Sequence, residues 1–213
     1  MFNWMTFVSI VVVCGTDFTY SMKYRPFQNE ETGHFGLKNR RNTPCLVLKF
    51  DAKLYIFDEN YMNTTVQIPK LSSSNVKIHG YCAANDSRKQ PAKISAVWLA
   101  GNSTKKLTLL FSAARMRSSV KQLSEVRWLL KSITLSSLDE GKITEKTSDE
   151  VIMSAPLKQK YVCRDKLNVT LKSNNQTSTI LEMQPIIEAQ PYNAAVTYAN
   201  SEFTVFVMQY SHP

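Results

Sequence analysis

Along most of this chain apolar and polar residues alternate over short stretches, which is the period-2 pattern of half-buried β-strands. In residues 106–111, Leu107, Leu109 and Phe111 share one face. In residues 167–171 the alternation is cleaner, with Leu167, Val169 and Leu171 on one face and Asn168 on the other. Residues 45–50, 54–57 and 203–207 read as further strands, separated by clusters of Ser, Asn, Gly and Pro. Many short strands with such punctuation predict an antiparallel all-β domain. One region reads both ways. From Arg115 to Ile133, Met116, Val120, Leu123, Leu130 and Ile133 fall near helical spacing, whereas residues 127–135 have a β-rich composition. The pattern predicts a short helix or turn up to about Ser124 and a strand after it.

The N-terminus breaks the alternation. Residues 5–14 form an apolar run too short to span a bilayer and suited to a signal-peptide core, although Met1–Trp4 lacks the usual Lys or Arg. Residues 1–21 are read as a signal peptide and 22–42, polar and basic with Pro26, Gly33 and Gly36, as an extended leader segment. The folded domain is placed at 43–206 and a tail at 207–213. No second apolar segment is long enough for a transmembrane segment in this chain.

Five sequons strengthen the secretory reading: Asn63, Asn85, Asn102, Asn168 and Asn175 each head an N-x-[ST] triplet without proline. The outward face of Asn168 and the polar surroundings of the others predict accessible side chains. Four cysteines occur. Cys14 leaves with the signal peptide, and Cys45, Cys82 and Cys163 permit one bridge and one leftover thiol in an oxidising lumen. A Cys45–Cys82 bridge would close a loop worth roughly 4 kcal/mol of chain entropy.

Hydrophobic content of 43% excludes a disordered chain. The net charge of +9 is spread along the sequence, with clusters at residues 38–41 and at Arg115, Arg117, Lys121, Arg127 and Lys131. No zinc-finger spacing or RNA-binding aromatic motif accompanies it, so nucleic acid is not an expected partner. His34, His79 and His212 show no metal spacing, and no Cys-x-x-Cys, nucleophile elbow or phosphate loop is present. A Cys163–His79 nucleophile pair is set aside as a structural cysteine and a surface histidine. Asp139-Glu140 and Asp149-Glu150 read as loop charges. No catalytic residue, metal or cofactor is expected, and the chain is read as non-enzymatic.

Taken together, Cys45 opening a strand, Gly80-Tyr81-Cys82, the strand ending at Phe111, the strand 128–135, Tyr161-Val162-Cys163 before an alternating strand, residues 181–185, and Gln190-Pro191-Tyr192 resemble the luminal domain of the lysosome-associated membrane glycoprotein family over about Pro44 to Phe206. The resemblance implies an all-β, antiparallel two-sheet β-prism-like or sandwich-like single domain with Cys45 bridged to Cys82. It also implies a second bridge from Cys163, but no cysteine stands between Tyr192 and Asn200, so Cys163 is left an unpaired thiol. Family members continue into a membrane helix and a sorting tail, whereas this sequence stops where that helix would begin.

The expected function is a glycosylated luminal domain of the endosome–lysosome or vesicle system. It would act in structural protection, self-association or sorting of a membrane partner, with protein partners in the secretory or endolysosomal lumen, or after secretion. The alternative is a secreted β-domain that binds a lipid or other apolar ligand in a cavity lined by residues such as Leu107, Leu109 and Trp128.

Overall fold

The computed structural model describes residues 24–57, 63–83, 91–117, 124–157, 159–173 and 178–192. Among these, every regular element is a strand: β1 (Arg25–Asn29), β2 (His34–Lys38), β3 (Pro44–Phe57), β4 (Asn63–Gln67), β5 (Lys77–Tyr81), β6 (Ala92–Ala100), β7 (Ser103–Arg117), β8 (Ser124–Asp139), β9 (Lys142–Ser148), β10 (Ser154–Pro156), β11 (Tyr161–Cys163), β12 (Leu167–Lys172) and β13 (Ser178–Gln190). All pairings are antiparallel.

The resemblance leads to an expectation of two sheets, and hydrogen bonding runs through all thirteen strands as one network. Its main path is β1-β2-β3-β13-β12-β9-β8-β7-β6-β5, with β4 on β3, β10 on β8 and β11 on β13. Between β12 and β9 the network narrows to one residue pair, Lys172 opposite Thr147. At the other extreme β1 and β2 approach β5, so the sheet nearly closes on itself. Long strands make this roll possible. β3 pairs with β2 through its first half and β4 through its second, and β8 is shared in the same way between β10 and β9. Register shifts at Leu37/Lys38, Leu110/Phe111 and Gln184/Glu188 supply the local bends.

The inward faces meet in one core. Leu46, Leu48, Phe50, Ala52 and Leu54 of β3 are buried, as are Leu107, Leu109 and Phe111 of β7 and Val169 and Leu171 of β12. Trp128 is fully buried; its ring packs edge-on between Phe111 at 6.0 Å and Tyr161 at 6.4 Å, and its Nε1 donates to the Gln159 carbonyl at 2.9 Å.

Three expectations need correction. Residues 25–38 are not an extended leader: they form the β1–β2 hairpin, and Phe35 and Leu37 are each 1% exposed. The polar composition of this stretch hid two inward apolar positions flanking Gly36. A Cβ at Gly36 would stand 2.0 Å from the Leu46 carbonyl oxygen, so only glycine allows that approach. The folded unit therefore begins well before residue 43. Of the short helix or turn expected up to about Ser124, the described residues Arg115, Met116 and Arg117 instead end β7, and β8 starts at Ser124 as the expected strand. Cross-strand partners from Arg115↔Val126 to Arg117↔Ser124 outweigh the helical spacing. Residues 118–123 and 203–207 lie outside the described residues.

Cys45 and Cys82 are disulfide-bonded, with Cα atoms 6.0 Å apart. The bond ties β3 to the end of β5, across the place where the sheet's two extremes meet. A Cys45→Ala/Cys82→Ala double variant is expected to lose about 4 kcal/mol of stability as the unfolded chain regains loop entropy. Equilibrium denaturation of both proteins measures this, and equal midpoints would show the seam holds without the bond.

Candidate functional site

Towards one end of the rolled sheet the inward positions change character. On β8 the inward series runs Ile133, Leu135, Ser137, Asp139; on β7 it runs Leu109, Leu107, Lys105, Ser103; on β6 it runs Ile94, Ala96, Trp98, Ala100. β9 places Lys146 opposite Leu135 and Thr144 opposite Ser137. These positions, together with Leu54 and Ile56 of β3, Val66 of β4 and Thr179 of β13, enclose a cup of about 390 Å³. Its floor is apolar and its rim polar. The size falls in the range of roughly 300–1,000 Å³ typical of small-molecule pockets.

The rim's charges are unequal. Lys105 Nζ lies 3.5 Å from Asp139 Oδ2 and donates to Ser137 Oγ at 2.5 Å, while Ser137 Oγ donates in turn to Asp139. Lys105 is thereby neutralised within the rim. Lys146 donates to Thr179 Oγ1 at 2.7 Å and has no carboxylate partner among the described residues. Burial pushes its ammonium pKa down.

The residues suggested for an apolar cavity do not line this cup. Leu107, Leu109 and Trp128 are ordinary core, each at most 2% exposed. The cup lies further along the same strands, and Trp98 takes the place expected of Trp128. Asp139, read from sequence as a loop charge, is a rim residue at the end of β8. The Glu140-Gly141 turn that follows has both φ values positive, at 47° and 82°, which suits a two-residue hairpin and aims β9 back along β8. Lys146 carried no signal of its own in the sequence. An inward parity count along 142–148 could have marked it, because Ser148 and Lys146 share the face that opposes Ile133 and Leu135.

The outer face of the same hairpin ends carries Leu99, Leu138 and Ile143, which are 77%, 44% and 68% exposed. Thr104 pairs with both Leu99 and Leu138, so these side chains form one row across four strands. Among the sequons, Asn102 in the β6–β7 turn and Asn168 on β12 are exposed. The Asn63 side chain, Asn85 and Asn175 lie outside the described residues. Cys163 on β11 is a free, buried thiol, 8% exposed, whose Sγ donates to the Asp165 carbonyl at 3.4 Å. His79 stands on β5, which pairs with β6, whereas β11 pairs with β13.

Two ionic clusters sit on the β13 side. Glu188 accepts from His34 Nε2 at 3.3 Å and from Lys160 Nζ at 2.8 Å, linking β2, β13 and the segment before β11. The His34 hydrogen bond, with Lys160 behind it, outweighs burial and holds the Glu188 carboxyl down at about 2. On the outer face Glu182 accepts from Lys166, Tyr55 and Gln184. Tyr192 leaves β13 and packs back on the core, where burial pushes its phenol up to about 12. Among the described residues no group of three or more His, Cys, Asp or Glu could hold a metal ion. No helix among them is long and apolar enough to cross a membrane.

Because the Glu188 pKa is lowered on folding, its contribution is fully present above the ordinary value of 4.5 and is lost as pH falls towards about 2. Glu188→Gln is expected to cost on the order of 2–3 kcal/mol near neutral pH, with the deficit shrinking across that window. Melting curves of both proteins against pH test this, and a deficit independent of pH would remove the carboxylate's role. For Cys163, native protein is expected to react slowly with a thiol reagent and denatured protein rapidly. Equal rates would mean the thiol is accessible.

No family model and no curated protein matches the sequence. In structure, the chain is similar to the membrane-distal domain of mouse lysosome-associated membrane protein 2 (LAMP-2), at 12% identity and a TM-score of 0.48, over 87% of this chain and 98% of that one.

Proposed function

We propose that this chain is a non-enzymatic, glycosylated luminal domain of the endosome–lysosome or vesicle system, of the prism-like architecture that its sequence resemblance implies. It would serve in structural protection, self-association or sorting of a membrane partner. The observation that carries the reading is a disulfide-closed β-domain whose described sequon asparagines, Asn102 and Asn168, both stand exposed. A disulfide suits an oxidising lumen, and a glycan needs an outward asparagine. Asn168 is held on the outer face by the burial of Val169 and Leu171 beneath it. Bulky hydrated glycans there would keep proteases from the strand backbone. The exposed row Leu99, Leu138 and Ile143 is a surface that self-association or a protein partner could cover.

A second reading, binding of a lipid or other apolar ligand, is favoured by the cup and its apolar floor of Leu54, Val66, Trp98 and Leu135.

The first reading is tested by expressing the whole chain in animal cells and treating it with an N-glycan-releasing enzyme. The expected outcome is a gain in gel mobility, reduced in the Asn102→Gln and Asn168→Gln variants. Unchanged mobility of the untreated and treated protein would refute passage through the lumen.

A further inference from the structure

The cup combines two features that a purely structural interior has no use for together. Its floor is apolar, and its rim holds one positive charge more than negative: Lys105 is matched by Asp139, and Lys146 by no carboxylate among the described residues. We infer that the cup binds a single-chain amphiphile bearing one carboxylate, its chain lying on Leu54, Val66, Trp98 and Leu135 and its carboxylate meeting the Lys146 ammonium. This rests on the apolar-ligand reading and adds the ligand's charge and class.

Three observations fix that class. An ammonium has three N–H groups, and Thr179 Oγ1 accepts one of them, so a carboxylate oxygen can take another without displacing the protein's own bond. Burial already disfavours the Lys146 charge, and an anion beside it would restore what desolvation takes away. Finally, the excess charge is single. A dianionic headgroup would bring a second negative charge towards Asp139, and a neutral one would leave Lys146 as it is.

Occupancy follows the same logic. Lys146 stands opposite Leu135, so the headgroup is held at the level of that cross-strand pair and the chain runs from there along the apolar lining. Ala100 stands at the mouth on β6, so a large side chain there would close the cup without touching Lys146.

The test uses the whole chain, stripped of carried lipid, titrated calorimetrically with laurate and with dodecanol, which share a chain and differ in the headgroup. One laurate should bind per chain, about tenfold or more tightly than dodecanol, the difference expected of a charge-assisted contact. Lys146→Met should abolish the preference by weakening laurate binding at least tenfold, and Lys146→Arg should keep it. Ala100→Trp should lose both ligands. Each variant's melting curve reports that it is folded, since Lys146→Met removes the charge and also the hydrogen bond to Thr179. Equal affinity for laurate and dodecanol, or a laurate preference that survives Lys146→Met, would overturn the carboxylate assignment and leave the apolar-ligand reading standing. Binding of neither compound would sink both, and binding that survives Ala100→Trp would place the ligand outside the cup.

Discussion

A rolled antiparallel sheet must bring its two extremes together without a ladder of strand hydrogen bonds to join them, and here that junction is made by side chains. Cys45 on β3 is bonded to Cys82 beyond β5. Beside it, the Gln28 amide nitrogen on β1 lies within hydrogen-bond distance of three carbonyls, those of Leu71, Ser73 and Val76, at 3.0, 2.5 and 2.9 Å. An amide has two N–H groups, so one of the contacts is shared. The Ser74 amide donates to Glu30 at 2.9 Å. These contacts fasten the β1–β2 hairpin to the segment leading into β5, and Leu71, Val76 and Ile78 are buried behind them. β1 and β5 are the edge strands of the network, and without the seam their unpaired backbone edges would be uncovered. Gly80 belongs to the same arrangement: a Cβ there would stand 2.0 Å from the Lys93 carbonyl oxygen, so β5 can lie this close to β6 only with glycine at that position.

The cup is a consequence of this closure. The inward positions of β6, β7 and β8 continue past the core towards the β6–β7 and β8–β9 turns. Beyond Trp98, Leu107 and Leu135 the inward side chains are Ala100, Lys105, Ser103, Ser137 and Asp139, which are too small or too polar to extend the core. On the opposite wall β3 and β13 contribute Leu54, Ile56 and Thr179. Where the two walls are no longer bridged by large apolar groups, a hollow remains with core at its base. The same strands therefore supply stability at one level and a concave surface at the next, and an apolar floor with a few placed polar groups is what a ligand pocket requires.

Much of this was legible from the chain, but unevenly. Alternation marked β7 and β12 because both present strict apolar parity over several residues. It failed for β1 and β2, where Phe35 and Leu37 are two inward positions among many polar ones and the burial comes from β3 and the β5 seam, far off in sequence. It failed again at Arg115–Arg117, where helical spacing of scattered apolar residues competed with pairing partners that only the tertiary structure supplies. The disulfide partners came from the family resemblance rather than from geometry. The cup was missed for a further reason. Parity shows which face a residue takes, but not how far along the strand the opposite wall continues, so Leu107 and Leu109 looked as eligible as Leu135 and Trp98.

Lys146 is where local economy and the fold disagree. Lysine buries its stem readily and keeps its charge in water or beside a carboxylate. Lys105 follows that rule with Asp139, Lys160 with Glu188, and Lys166 with Glu182. Lys146 has the same opportunity in kind, since Asp139 lines the same cup, yet that carboxylate is taken by Lys105. A methionine or leucine at 146 would extend the apolar floor from Leu135, its cross-strand partner, without the cost of desolvating an ammonium. On the proposal that a carboxylate enters the cup, that desolvation is offset in the bound state. The polar lining divides into two parts: a Lys105–Ser137–Asp139 network satisfied within the protein, and a Lys146–Thr179 pair with no carboxylate among the described residues.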